Sequence, residues 1–126
     1  SFGAHTVSHP KLPELDTLSS SEEIIQSKKQ IENQLITPCL HFAYPYGLFR
    51  EETPDIVKNS GFTLACTTHS GFNNRETNPF LLNRLEVYGT DSVRALKQKM
   101  AFGTNDASLL VPLSYYSKRF LKKVSL

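Results

Sequence analysis

The chain opens on Phe2-Gly3-Ala4-His5-Thr6-Val7-Ser8-His9-Pro10, and the reading of this stretch sets the fold. Phe2 to Val7 is short, mixed and rich in β-formers, so it reads as a strand that ends near His5 to Ser8. Pro10 disfavours helix at His9, because its ring clashes with the preceding residue. Two histidines four apart thus stand where a strand gives way to a loop. Imidazole suits zinc and other first-row divalent ions, and catalytic groups in parallel α/β folds gather where strands end. His5 and His9 are therefore candidate metal ligands. By spacing alone, a pair of surface-loop histidines is an equal reading.

Working outward, strands and helices alternate. Ser19, Ser20 and Ser21 offer N-cap oxygens for a helix with Glu22 and Glu23 in its first turn. Ile24, Ile31 and Leu35 mark its buried stripe, Lys28, Lys29 and Glu32 its wet face, and Pro38 its limit. Leu40 to Tyr44 reads as a buried strand and Pro45-Tyr46-Gly47 as a turn. Thr53 caps a second helix with Pro54 at its first position, Ile56 and Val57 on its apolar side and Gly61 beyond its end. Phe62 to Thr68 reads as a strand, His69 to Pro79 as a polar loop and Phe80 to Tyr88 as a further strand. Asp91 or Ser92 caps a third helix with Val93, Leu96 and Met100 on one face. Leu109 to Leu113 reads as a strand, and Tyr115 to Val124 as a basic terminal helix. This order predicts an α/β fold with a mostly parallel sheet and outer helices.

The 126 residues suffice for one modest domain. A hydrophobic fraction of 39% and a charged fraction of 21% argue for a packed core and against wholesale disorder. The net charge of +2 is too small to argue for nucleic acid. No apolar run approaches the ~20 residues that span a bilayer, and no signal peptide is visible. The basic residues Lys118, Arg119, Lys122 and Lys123 read as a solvated helix face, with anionic lipid or polymer as the other reading. Cys39 and Cys66 each lie in apolar segments and suit buried free thiols, although neighbouring strands would allow them to pair. A natural domain rarely begins on its most chemically loaded segment, so the start at Ser1 leads us to expect further sequence upstream.

The string Gly3-Ala4-His5-Thr6-Val7-Ser8-His9-Pro10, followed by Leu12 and Leu15, resembles the second motif of polysaccharide deacetylases, the NodB-like enzymes of carbohydrate esterase family 4. That motif reads His-Ser/Thr-x-x-His. The likeness continues in Glu22, Glu23, Ile24 and Ser27. It continues in Phe42-Ala43-Tyr44-Pro45-Tyr46-Gly47, which resembles the third motif, and in Gly61-Phe62 with Ala65-Cys66-Thr67-Thr68, Gly71 and Asn73. Leu82-Asn83-Arg84-Leu85-Glu86-Val87 resembles a late strand carrying an arginine.

The resemblance implies a single partial deacetylase domain over residues 1–126, a partial (β/α) barrel. It implies a divalent metal, zinc by preference, held by His5 and His9 with Thr6 steadying the loop. It implies the Tyr46 N–H as oxyanion donor in a turn shaped by Pro45 and Gly47, and Arg84 as a residue that orients a catalytic carboxylate. The bland readings are packed aromatics at Tyr44 and Tyr46, and an arginine paired with Glu76 or Glu86. The implied reaction is removal of N-acetyl groups from an amino-sugar polysaccharide, outside the cytoplasmic membrane, with Tyr44 and Phe72 as candidate stacking surfaces for sugar rings.

The chain departs from the family pattern in three places. The first motif, with a third metal ligand and a general base, is absent, and Asp16, Asp55, Asp91 and Asp106 lie in no such motif. Ala43 stands where the commoner third motif has arginine. No histidine follows His69, which itself could approach the site. A barrel of this kind needs roughly 200 residues, so a sheet edge is expected to lie open to self-association. Two competing readings follow: a non-catalytic carbohydrate-binding or structural remnant of the same fold, and an unrelated α/β regulatory domain with incidental histidines.

Overall fold

A computed structural model describes residues 1–108 and 110–114. Three strands run in parallel in the order β1-β2-β3: β1 (Gly3–Ala4), β2 (His41–Ala43) and β3 (Leu64–Cys66). Helix α1 (Thr17–Leu35) connects the first pair and α2 (Thr53–Asn59) the second. Ala4, Phe42 and Ala65 stand side by side in register, and all three are buried. This row meets α1 and α2, where Ile24 and Val57 are both fully buried. Each such side chain contributes roughly 1.5–3 kcal/mol on leaving water. The α/β class with a parallel sheet is therefore as expected.

The boundaries differ in instructive ways. Helix α1 begins earlier than the serine triplet suggests: Asp16 is its N-cap and accepts from the Ser19 N–H at 2.9 Å and from its hydroxyl at 3.0 Å. The buried face of α1 is Ser20, Ile24 and Ser27, with Ile31 partly buried, while Leu35 is exposed. Lys28 does not simply face water. Its ammonium donates to the Cys39 carbonyl, pairs with Glu32 at 3.0 Å and lies 4.7 Å from the centre of the Phe62 ring.

Beyond β3, the expected strand from Phe80 to Tyr88 shrinks to a single parallel bridge between Cys66 and Leu82. The Leu82 N–H donates to Ala65 O and the Thr67 N–H to Leu82 O, each at 2.9 Å. The next residue, Asn83, is taken up by the Asn73 side chain, which accepts from its N–H and donates to its carbonyl, each at 2.9 Å. A side-chain amide thus replaces the strand partner that would extend the ladder. Cys39 and Cys66 are free thiols.

The chain divides into two compact units, Ser1–His69 with Asn73–Arg84, and Ser70–Phe72 with Leu85–Leu126. The second contains α3 (Val93–Phe102), capped by the Ser92 hydroxyl, which accepts from the Ala95 N–H at 3.2 Å. Two residues of its expected apolar face are wet, Val93 at 71% and Met100 at 60% exposed, while Leu96 is half-buried. The buried residue is Lys99, drawn inward by Asp91 at 2.7 Å and by the Glu86 carbonyl at 3.0 Å. Residues 111–114 form a helical turn where a strand was predicted, with the Ser114 N–H donating to Leu110 O. The predicted basic helix from Tyr115 to Val124 lies outside the described residues.

Candidate metal centre

Because the strands are parallel, the residues that follow them gather on one rim of the sheet: His5 after β1, Tyr44 to Gly47 after β2, Thr67 to His69 after β3, and Arg84 after the Leu82 bridge. The loop after β1 reverses sharply. Thr6 has φ 64° and His9 φ 58°, both in the left-handed region that costs a non-glycine residue of order 1–3 kcal/mol. The Thr6 hydroxyl bridges the reversal, donating to His5 O at 2.5 Å and accepting from the His9 N–H at 3.1 Å.

The reversal brings the two imidazoles together. His5 Nε2 and His9 Nε2 are 3.0 Å apart, with ring centres 4.7 Å apart and planes at 65°. His5 Nδ1 is 2.7 Å from the Ala43 carbonyl, to which only an N–H can donate. That bond fixes the tautomer and leaves the His5 Nε2 lone pair facing His9. The His9 ring packs edge-on against Tyr46 at 4.6 Å. Both histidines are exposed to solvent. Two nitrogens bound to one zinc at ~2.0–2.1 Å would stand close to this separation, so the donor pair fits a divalent ion. Among the described residues no group of three metal-ligating side chains forms.

The Pro45–Gly47 turn follows β2. Tyr46 has φ 56° and Gly47 φ 70°, and Pro45 and Gly47 are buried while the Tyr46 side chain is 55% exposed. The turn is closed by the Gly47 N–H on Tyr44 O at 2.9 Å and the Leu48 N–H on Pro45 O at 3.0 Å. The Tyr46 carbonyl accepts from the Thr68 hydroxyl at 3.3 Å. Its N–H donates to no described residue. Tyr44 is the packed aromatic of the pair. It is 1% exposed, donates its hydroxyl to Phe80 O at 2.8 Å, and is held above the usual phenol pKa by burial and by nearby Cys66. It is therefore closed to sugar stacking, contrary to expectation.

Arg84 is exposed on the same rim, its N–H donating to His69 O at 2.9 Å, and it makes no ion pair among the described residues. His69 is exposed, with its ring 6.5 Å from that of Phe49. His41 begins β2, at the opposite end of the strand from the rim.

One contact escaped the sequence reading. Glu23 appears there as a first-turn acid and as part of the family likeness, with no site role, yet its Oε2 accepts from the Val7 N–H at 2.8 Å and the Ser8 N–H at 2.9 Å, and its Oε1 from the Ser8 hydroxyl at 2.7 Å. Burial by itself would raise its pKa; the bonds from Ser8 and Val7 outweigh that and hold it below the ordinary carboxyl value. The only local signal is an acid seven residues after a helix cap, which is too common to single it out.

The family model described as polysaccharide deacetylase matches residues 1–65. Among solved structures, the deacetylase PplD of Streptococcus pyogenes, in complex with acetate, is 30% identical with a TM-score of 0.74, over 79% of this chain and 44% of that one. A polysaccharide deacetylase from Bacillus cereus is 23% identical with a TM-score of 0.70, over 79% and 32%. IcaB from Ammonifex degensii is 23% identical with a TM-score of 0.56, over 69% and 41%. The chain thus spans less than half the length of each of these structures. No curated protein sequence matches it.

Proposed function

Since this chain belongs to the polysaccharide deacetylase family, we propose that it is the part of a metal-dependent N-deacetylase that carries two imidazole ligands and the oxyanion donor. The substrate would be an N-acetylated amino-sugar polysaccharide, cleaved by water to a free amine and acetate. The observation that carries this reading is the convergence of His5 Nε2 and His9 Nε2 at 3.0 Å, with the His5 tautomer fixed by the Ala43 carbonyl. A zinc ion bound there would acidify a water and polarise the acetamide carbonyl.

The chain's own residues would do the rest of the positioning. The Ala43 carbonyl and Tyr46 ring hold the two imidazoles in place. The Tyr46 N–H supplies a hydrogen bond to the carbonyl oxygen as it gains charge. Arg84, on the same rim, would orient the carboxylate that takes the proton from water. Among the described residues no third metal-ligating side chain joins the two imidazoles. Family membership supports action on an envelope or exported polymer. No described helix is long and apolar enough to cross a membrane. The outer edge of β1 has no strand partner among the described residues, and self-association there is part of the proposal.

The set of only two ligands among the described residues also favours a second reading, a non-catalytic relative that keeps the fold and binds carbohydrate. The two are separated by measuring cobalt binding by this chain, and acetate release from chitin oligomers by a longer protein that includes upstream sequence. Binding abolished by His5→Ala and release stimulated by zinc support the enzyme. Absence of release from the longer protein supports the non-catalytic reading, and absence of binding removes the metal centre.

A further inference from the structure

The loop that carries the two histidines has a strained shape with little of its own to hold it. Between Thr6 at φ 64° and His9 at φ 58° stand only Val7 and Ser8, both exposed. Left-handed residues flanking consecutive amides turn those N–H groups toward one side, and such a concavity attracts an anion. Here the anion is internal: the Glu23 carboxylate from α1 accepts both N–H groups on Oε2 and the Ser8 hydroxyl on Oε1.

We propose that Glu23 is the positioning residue of the two-imidazole site, fixing the Val7–Ser8 backbone and through it the placement of His9 against His5. It touches neither histidine, so its action runs through the loop. The Thr6 bridge spans the same reversal but is itself part of the loop. Glu23 is the part anchored outside it, on a helix whose next residue, Ile24, is fully buried. The carboxylate thus ties the reversal to the hydrophobic core. The inference rests on the metal reading for its meaning, and not for its geometry.

The test uses the whole 126-residue chain, with Glu23→Ala, Glu23→Gln and a neighbouring control, Glu22→Ala. In the metal-free protein, slow exchange of the Val7 and Ser8 amides and a nuclear Overhauser contact between the His5 and His9 rings are expected in wild type. Both should be lost in Glu23→Ala with the rest of the spectrum unchanged. Glu23→Gln should keep them, because its carbonyl oxygen can accept both N–H groups and its amide can donate to the Ser8 hydroxyl. Cobalt titration should show affinity weakened about tenfold to a hundredfold in Glu23→Ala and little changed in the other two. Should Glu23→Ala not fold, Glu23→Asp, whose carboxylate is withdrawn by one methylene, takes its place with the same expectations. A folded Glu23→Ala that retains the ring contact and full cobalt affinity would overturn the proposal. A wild type that binds no cobalt refutes the metal reading instead, and the ring contact alone then decides the role of Glu23.

Discussion

The backbone nitrogen of Thr68 lies 2.7 Å from the point that a Cβ on Gly47 would occupy, and the Thr68 Cβ lies 2.9 Å from it. The segment just after β3 is thereby pressed against the turn that follows β2. Gly47 also has φ 70°, where any side chain is strained. Gly47→Ala is therefore expected to destabilise the first unit by about 2–4 kcal/mol, the strain and the overlap acting together. Urea denaturation reads this directly, and an unchanged midpoint would mean that the turn has room to spare.

Of the four histidines, only two belong to the proposed metal centre. His5→Ala and His9→Ala should each weaken cobalt binding at least about a hundredfold, since two ligands are already fewer than the three of ordinary catalytic zinc. His41→Ala, at the far end of β2, and His69→Ala should leave the titration as it is. Equal losses at all four positions would point to nonspecific binding.

Tyr44→Phe keeps the buried ring and removes only the hydroxyl bond to Phe80 O. The expected cost is about 0.5–1.5 kcal/mol in a denaturant melt, with no change in polysaccharide affinity. A loss of affinity without a loss of stability would restore Tyr44 as a sugar contact.

The second unit should lose stability in acid. The Lys99 ammonium first, and then the Tyr88 N–H, hold the Asp91 carboxyl below its ordinary value of 3.8. A carboxyl depressed by folding stabilises the fold fully above its unfolded pKa and ceases to do so as pH falls through the folded one. Melting followed by resonances of Tyr88 and α3 from about pH 6 to about pH 2 should show this loss, and Asp91→Asn should flatten it. An unaltered acid limb in Asp91→Asn would assign the loss to another group.

What the sequence makes legible is local. Pro10 after His9, Pro45 before Tyr46-Gly47, and Pro54 after Thr53 mark loop, turn and helix start by steric rules that act between neighbours. The parallel order follows from alternation of strands and helices alone. The positions misread are those settled by distant partners. Glu23 bonds to residues fifteen and sixteen positions away, and Lys28 reaches a carbonyl eleven positions on. Lys99 turns inward because Asp91 and the Glu86 carbonyl wait for it. The start of α1 was ambiguous for another reason: Asp16 and three serines are all good caps, and the Ser19 N–H and hydroxyl both meet Asp16.

Lys28 and Lys99 share a property that a chemist could use. Their side chains are 15% and 3% exposed, and each ammonium is engaged by an acid, a backbone carbonyl and an aromatic face. An amine-modifying reagent should spare both while it labels Lys29 and Lys97, and should reach each only when its own unit opens. The reaction rates of these two lysines would then time the opening of one unit against the other, without a mutation or a dye.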